Sequence, residues 1–370
     1  MPVVIYLLLI IVFLTLLSYY LIFTQINRKG KAGKINYEID GISIVICAKN
    51  EYHNLKNNLS KFYNQEQVNY EIVVVNDCST DQTADFLDNE IKNNDLLKVL
   101  HLTNHDNSNL KGKRYALQKG VELAKYNYVA LTDADCFPAG NFWLKNLALQ
   151  FNNEIKIVLG YSPYVKRGGF LNKLIQIETT YTALQYLSFA KIGKPYMGVG
   201  RNMAYEKSLL TDDIFLHSNK SLSGDDDLVV DLLANNRNTS IVLNEDSFVY
   251  SLPEISFKNW IFQKTRHYGA AKHYSLNKKI SVGLFNGANI FFYSLLVYLF
   301  VFQFSYKLVI SLYLLKFIFF VFLNYKFLQK IKQQKLIYTL FFFDIIYFFL
   351  LLLLHTKSLF SLDGWKYKNR

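Results

Sequence analysis

The run Tyr128-Val129-Ala130-Leu131-Thr132-Asp133-Ala134-Asp135-Cys136-Phe137-Pro138 is a short apolar stretch that ends in two aspartates at i and i+2. An apolar run of about four to eight residues closed by polar ones is the pattern of a strand buried on both faces. Carboxylates just past such a strand can hold a hard divalent cation against a ligand's oxygens. Alone, the Asp-x-Asp spacing is a weak signal, because a solvated turn reads the same way. Two strand ends upstream add weight. Ile42–Ala48 runs into Lys49-Asn50-Glu51, and Glu71–Val75 runs into Asn76-Asp77-Cys78-Ser79-Thr80-Asp81.

Helical patterns separate these strands. Asn54–Tyr63 is one, and Ser79-Thr80-Asp81 caps a second that runs to about Lys92. Lys98–Leu102 is a further strand, followed by a helix at Lys113–Ala124 and the strand at Tyr128–Thr132. Strands alternating with helices predict an α/β fold with a mostly parallel sheet covered on both faces. Ligands of such sheets bind beyond the carboxyl ends of the strands, where the polar motifs fall.

The chain has 370 residues, 51% hydrophobic and 19% charged, which excludes a disordered protein. Its apolar residues cluster. A helix needs roughly 20 of them to cross a bilayer, and Val3–Phe23 supplies one span. With no basic stretch before it and no small-residue cleavage site after it, a retained anchor is expected rather than a removed signal. Leu284–Phe304, Lys307–Asn324 and Leu336–His355 supply three more, the first two joined by a tight hairpin at Gln303–Tyr306. Arg28, Lys29, Lys31 and Lys34, and later Lys326, Lys330, Lys332 and Lys335, assign both loops to the cytoplasm by the positive-inside rule. The tail, with Lys366, Lys368 and Arg370, would then lie outside, against the same rule.

The domain organisation expected is an anchor at 1–27, a cytoplasmic domain at 35–254, an interfacial helix at 255–281, spans at 284–355 and a tail at 356–370. Lys316 and Asp344 lie half-way along their spans and are expected to pair, the alternative being a snorkelling lysine and a protonated acid. Ile255–Ser275 mixes Phe257, Trp260, Ile261 and Phe262 with Lys258, Lys264, Arg266 and Lys272, the composition of an interfacial amphipathic helix. Leu171–Ala190 is a second candidate for packing beside the membrane. The net charge of +12 suits anionic headgroups and phosphate-bearing substrates; it lacks the clustered basic and aromatic pattern of a nucleic-acid module. Cys47, Cys78 and Cys136 form no C-x-x-C pair, fit a reducing compartment, and read as packing residues.

Taken in order, Ala48–Glu51, Val75–Asp81, Gly112–Leu117, Leu131–Asp135, Gly198–Tyr205, Ser223–Leu228 and Gln263–His267 resemble the motif set of membrane-bound family 2 glycosyltransferases. The resemblance covers about residues 40–275, and the ordered set is far more specific than any one member. It implies a GT-A, Rossmann-like nucleotide-sugar-binding domain with one N-terminal and about three C-terminal transmembrane helices. By the same resemblance Asp77 is the base-recognising position, with Ala48, Asn50 and Glu51 beside it. Lys113 is the basic residue of the nucleotide pocket, Asp133 the carboxylate near ribose and sugar, and Asp135 the ligand of a divalent metal, manganese or magnesium. Asp226 is the catalytic base, with Asp225 as runner-up, and Gln263, Arg266 and His267 face acceptor or diphosphate.

The implied reaction is an inverting transfer from a nucleotide-sugar donor, expected to be a UDP-sugar, to a lipid-linked or other membrane-associated acceptor. The expected location is a bacterial inner membrane with the catalytic domain in the cytoplasm. A carboxylate must take the acceptor proton as the new bond forms, and cationic groups must stabilise the departing diphosphate. Taken alone, Asp225–Asp227 reads better as a solvated helix start favoured by the helix dipole. Asn76 and Cys78 depart from the family's aspartate and glycine, and His267 stands where many members have tryptophan. That last departure weighs against chain polymerisation, because in processive synthases the tryptophan helps hold the acceptor. A short polysaccharide synthase and a catalytically silent membrane scaffold are the alternatives.

Overall fold

The computed structural model describes residues 2–28, 39–103, 110, 113–218, 225–270, 274–302 and 306–360, with only the helix backbone at 2, 225–228, 270 and 359–360. The basic run 29–34, Gly112, the hairpin link at 303–305, Lys272 and the tail beyond 360 therefore lie outside the described residues. In chain order the elements are α1 (Pro2–Thr24), β1 (Ile42–Ala48), α2 (Tyr52–Asn58), β2 (Tyr70–Asp77), α3 (Thr83–Ile91), β3 (Leu97–Leu102) and α4 (Lys113–Leu123). Next come β4 (Tyr128–Asp133), β5 (Cys136–Pro138), α5 (Trp143–Ala148), β6 (Ile157–Gly160), α6 (Phe170–Lys191), β7 (Met203–Glu206), α7 (Asp212–Ser218) and α8 (Asp225–Leu233). The remainder are β8 (Thr239–Val242), β9 (Val249–Ser251), α9 (Phe257–Ala270), α10 (Leu276–Val301), α11 (Tyr306–Lys330) and α12 (Leu336–Phe360).

The chain divides into two compact units. Among the described residues, one comprises 39–165 and 193–253 and holds a seven-stranded sheet in the order β3-β2-β1-β4-β7-β6-β8. Strands β3, β2, β1 and β4 are mutually parallel, while β7 runs antiparallel to both β4 and β6. The Ile- and Val-rich runs of β1 and β2 are buried almost throughout, as strands covered on both faces must be. Gly120 of α4 lets that helix approach the sheet closely, since a Cβ there would lie 2.6 Å from Val45 Cγ1 and 3.0 Å from Val75 Cγ2. β5 and β9 form a separate antiparallel ribbon.

The helix expected over Asn54–Tyr63 is shorter than that. It ends at Asn58 and a 3-10 turn covers Leu59–Phe62. Buried Asn58 spends its side chain on the Ala134 carbonyl and on Lys61, the local competition that makes asparagine a poor helix interior. The helix after β2 starts at Thr83, just past the expected capping segment Ser79-Thr80-Asp81, with Asp81 Oδ1 accepting the Thr83 amide at 3.0 Å and the Thr83 hydroxyl at 2.5 Å.

The second unit comprises, among the described residues, 2–28, 166–192 and 254–360. Four of its helices are long and apolar enough to cross a membrane: Val3–Asn27, Leu276–Val301, Tyr306–Lys330 and Leu336–Ser358. The second begins at Leu276, not Leu284, because nothing in 276–283 stops a helix. α6 packs against α1 and α12, and α9 packs against α12. Lys264, expected among the headgroup-facing cations of α9, instead points inward and forms a buried ion pair with Glu178 of α6 at 2.6 Å. It lies one turn after fully buried Trp260, on the inner face, while Phe257, Lys258, Phe262 and Arg266 are exposed. The expected Lys316–Asp344 pair is formed. Lys316 is 2% exposed and so does not snorkel. It also donates to the Tyr293 hydroxyl at 2.7 Å, and the carboxylate accepts from the Tyr293 hydroxyl and, at 2.5 Å, from that of Tyr181.

Candidate active site

Registers Ala48↔Asn76 and Cys47↔Asp133 bring the carboxyl ends of β1, β2 and β4 level on one edge of the sheet. The first two loops are tied together there. Asn50, at φ 56°, donates its amide to Ser79 Oγ at 2.9 Å, and its side-chain oxygen accepts the Thr80 amide at 2.8 Å. The Glu51 amide bonds Thr83 Oγ1 at 3.0 Å, and the Tyr52 amide bonds Asp81 at 3.3 Å. Asp77 is 4% exposed at the end of β2, and Cys78 follows it at φ 54°, in the left-handed region where the resembling family carries glycine. Beside Asp77, the Asn76 amide nitrogen meets His101 Nδ1 at 2.8 Å.

The acids converge at the end of β4. Lys113, in the first turn of α4, pairs with Asp133. Asp135 accepts hydrogen bonds from Cys136 Sγ at 3.1 Å and from Ser251 Oγ at 3.3 Å. Burial pushes the Asp135 carboxyl above the usual range and the neighbouring Asp133 adds to this, while Cys136, Arg201 and Lys113 oppose it. Glu51 is likewise raised, by burial first; the Asn54 amide at 2.5 Å opposes the shift, and Asp135, Asp133 and Asp81 reinforce it. Three separate loops therefore bring negative charge to one place.

Among the described residues, Asp133, Asp135 and Cys136 form a group able to hold a metal ion, with ligand atoms within 4.8 Å of one another. Two crowded carboxylates fit a hard divalent cation such as Mn2+ or Mg2+, which would relieve their repulsion. The thiol does not fit as a ligand. Burial holds Cys136 well above its usual pKa, and its proton is donated to Asp135. Cys136 therefore orients the acid, beyond the packing role expected of it.

Arg201 escaped the sequence reading, although it stood out as the charged residue in the run Gly198–Tyr205. Its Nε donates to Ser162 Oγ at 2.6 Å, Nη1 to the Tyr164 hydroxyl at 3.1 Å and Nη2 to the Ser162 carbonyl at 3.1 Å. The guanidinium lies 4.4 Å from the Tyr164 ring centroid. Next to it, Asn202 is fully buried and completely bonded, accepting from Trp143 Nε1 at 3.0 Å and donating to the carbonyls of Tyr161 and Ser247.

The structure thus gathers Ala48, Asn50, Glu51, Asp77, Lys113, Asp133 and Asp135 at one sheet edge. Asp225 and Asp226 open α8, and their side chains lie outside the described residues. Gln263, Arg266 and His267 sit on α9 in the other unit, with Arg266 exposed and the other two half-buried.

Comparison with known proteins gives the following. Residues 43–212 match the profile described as glycosyl transferase family 2, and residues 128–356, more than half of the chain, match glycosyl transferase family group 2. Poly-beta-1,6-N-acetyl-D-glucosamine synthase of Staphylococcus aureus (strain COL) is 32% identical over 167 residues, 44% of this chain and 39% of the relative. The protein of the same name from Staphylococcus epidermidis is 32% identical over 109 residues, 30% of this chain and 25% of the relative. The chain thus spans well under half the length of the relatives it matches. A mannosyltransferase from Pyrobaculum calidifontis, solved with GDP-Man and Mn2+, superposes with a TM-score of 0.60 at 15% identity, covering 97% of this chain and 98% of that one. At that identity the likeness shows the fold.

Proposed function

The chain belongs to glycosyl transferase family 2, and we propose that it transfers a single sugar, with inversion, from a UDP-sugar to a lipid-linked or other membrane-associated acceptor. One observation carries the reading: half-buried Asp135 and the Lys113–Asp133 pair stand together at the strand edge where a nucleotide diphosphate binds in such sheets. In this reading Asp77 and the Asn50–Glu51 loop receive the base. Lys113 and Asp133 order the ribose and sugar. Asp135, with Asp133, holds a divalent cation, whose chemistry is to neutralise charge on the leaving diphosphate. Asp226 takes the acceptor hydroxyl's proton, with Gln263, Arg266 and His267 towards acceptor or diphosphate. The positive-inside pattern supports a cytoplasmic catalytic unit, and the exposed Phe257, Phe262 and basic neighbours of α9 support contact with the membrane surface.

The names of the relatives favour a second reading, a polymerising synthase working on an N-acetylglucosamine nucleotide. A panel of nucleotide sugars, given to the detergent-solubilised chain with Mn2+ or Mg2+ and scored by released nucleoside diphosphate, tests the first reading. Turnover lost in Asp135→Ala and Asp226→Asn supports it, and none with any donor sinks it. Product length separates the two: single additions favour transfer and a ladder of products favours polymerisation.

A further inference from the structure

Arg201 is held more tightly than its surroundings require. A guanidinium offers five N–H donors in a planar fork, and here three of them are fixed by Ser162 and Tyr164. The Tyr164 ring under the fork restrains it further. The segment that holds Arg201 adjoins the one that holds Asp135. Tyr164 bridges to Ser251, the Val165 amide bonds the Ser251 carbonyl at 2.9 Å, and Ser251 pairs with Cys136 and donates its hydroxyl to Asp135 Oδ2. The segment that holds Arg201 is thus bridged to the strand whose Ser251 holds Asp135, and Arg201 and Asp135 each feel the other's charge.

A structural arginine this close to an acid would be expected to close a salt bridge on it. Arg201 does not; none of its three bonds goes to a carboxylate, and among the described residues the two remaining N–H groups have no acceptor. Its side chain is only partly buried. A pre-oriented fork with spare donors, set beside a cation-binding carboxylate, is the arrangement that binds phosphate oxygens bidentately. We propose that Arg201 is a diphosphate-binding residue of this site, contacting the phosphate oxygens of the donor and of the leaving nucleoside diphosphate. The proposal rests on the nucleotide-sugar reading above and adds to it a second, permanent positive charge that lowers the site's reliance on metal. Ser162 and Tyr164 are its positioning residues.

The test separates phosphate from base. Calorimetric titration of the detergent-solubilised full chain with UDP and with uridine is carried out in Mn2+ and in EDTA, using GDP and guanosine instead if the wild type binds GDP. Arg201→Met is expected to weaken diphosphate binding in EDTA at least tenfold while leaving nucleoside binding within twofold, which also reports that the pocket is folded. Arg201→Lys keeps the charge without the fork and should fall between. Tyr164→Phe keeps the ring but frees Nη1, and should show a smaller loss confined to the diphosphate. Equal weakening of nucleoside and diphosphate, or unchanged diphosphate affinity in Arg201→Met, overturns the proposal. If Arg201→Met does not fold, Arg201→Lys and Tyr164→Phe decide by the same criterion. A wild type that binds neither diphosphate overturns the parent reading and this one together. A wild type that binds diphosphate and turns over donor, beside variants unaltered in diphosphate affinity, overturns this one alone.

Discussion

The Thr80 amide donates to the Asn50 side-chain oxygen at 2.8 Å, so that the loop leaving β1 is fastened to the loop leaving β2 across the mouth of the candidate site. Asn50 also holds φ 56°, a conformation that asparagine tolerates better than most residues.

Two substitutions separate these roles. Asn50→Gly keeps the backbone geometry and loses the side-chain bond to Thr80. Asn50→Ala loses the bond but keeps a Cβ in the left-handed region without asparagine's local hydrogen bonding to offset it, at about 1–2 kcal/mol relative to glycine. Thermal unfolding should therefore rank wild type above Asn50→Gly and Asn50→Ala lowest. Both variants should show a raised donor KM, because the loop that receives the base is loosened in each. An alanine variant as stable as the glycine variant would show that the turn is not held where Thr80 places it.

The Lys316–Asp344 pair predicts a non-additive pattern. Removing one member strands a charge among Tyr181, Tyr293 and apolar side chains, at about 3–5 kcal/mol. Lys316→Met and Asp344→Leu should each lower the unfolding midpoint sharply in detergent. The double variant should recover most of the loss, since an apolar pair of similar size leaves only the tyrosine hydroxyls to be rehydrated. Additive losses in the double variant would show that the two residues do not act as a pair.

Much of this architecture is legible in the residues, and what is not has physical causes. The alternation of β-branched runs with helical patterns places β1 to β4 within about a residue or two, because β1, β2 and β4 are buried on both faces and the half-exposed edge strand β3 is set off by the helices around it. The acids at their ends follow from topology. Arg201 is invisible to such reading because its significance lies in contacts to Ser162 and Tyr164, some forty residues earlier in the chain. Lys264 misleads for a related reason. In sequence it joins the cations of an amphipathic helix, and only the packing of α9 and α6 reveals that Glu178 draws it inward.

Glu51 makes stability depend on pH with a definite sign. Burial raises its folded-state pKa above the unfolded value of about 4.3, and the neighbouring acids add to the shift. The folded state then holds the proton more tightly than the unfolded chain. The contribution to stability is fullest below the unfolded pKa and is lost as pH rises through the folded value. Glu51→Gln removes this dependence. It should melt at a higher temperature than the wild type at pH 7, with the gain vanishing below about pH 4. Melting curves across that interval check it, and a gain that grows on acidification would reverse the assignment.

The buried amide of Asn202 gives the sharpest stability prediction in the sheet-containing unit. It satisfies Trp143 Nε1 with its oxygen and the carbonyls of Tyr161 and Ser247 with its nitrogen, and Gly160 leaves the room, since a Cβ there would lie 2.5 Å from Asn202 Nδ2. Asn202→Ala orphans a fully buried indole N–H together with two carbonyls and opens a small void, which should cost about 2–4 kcal/mol. Asn202→Asp keeps an acceptor for Trp143 but sets a carboxylate oxygen against the two carbonyls. At pH 7 it should therefore be less stable than the alanine variant. On acidification the order should reverse, because a protonated carboxyl can donate to one of those carbonyls. Unfolding of the detergent-solubilised chain, followed by tryptophan fluorescence at pH 7 and pH 4.5, reads both rankings. An aspartate variant that matches the wild type at neutral pH would mean that water, and not the amide, bridges Tyr161 and Ser247.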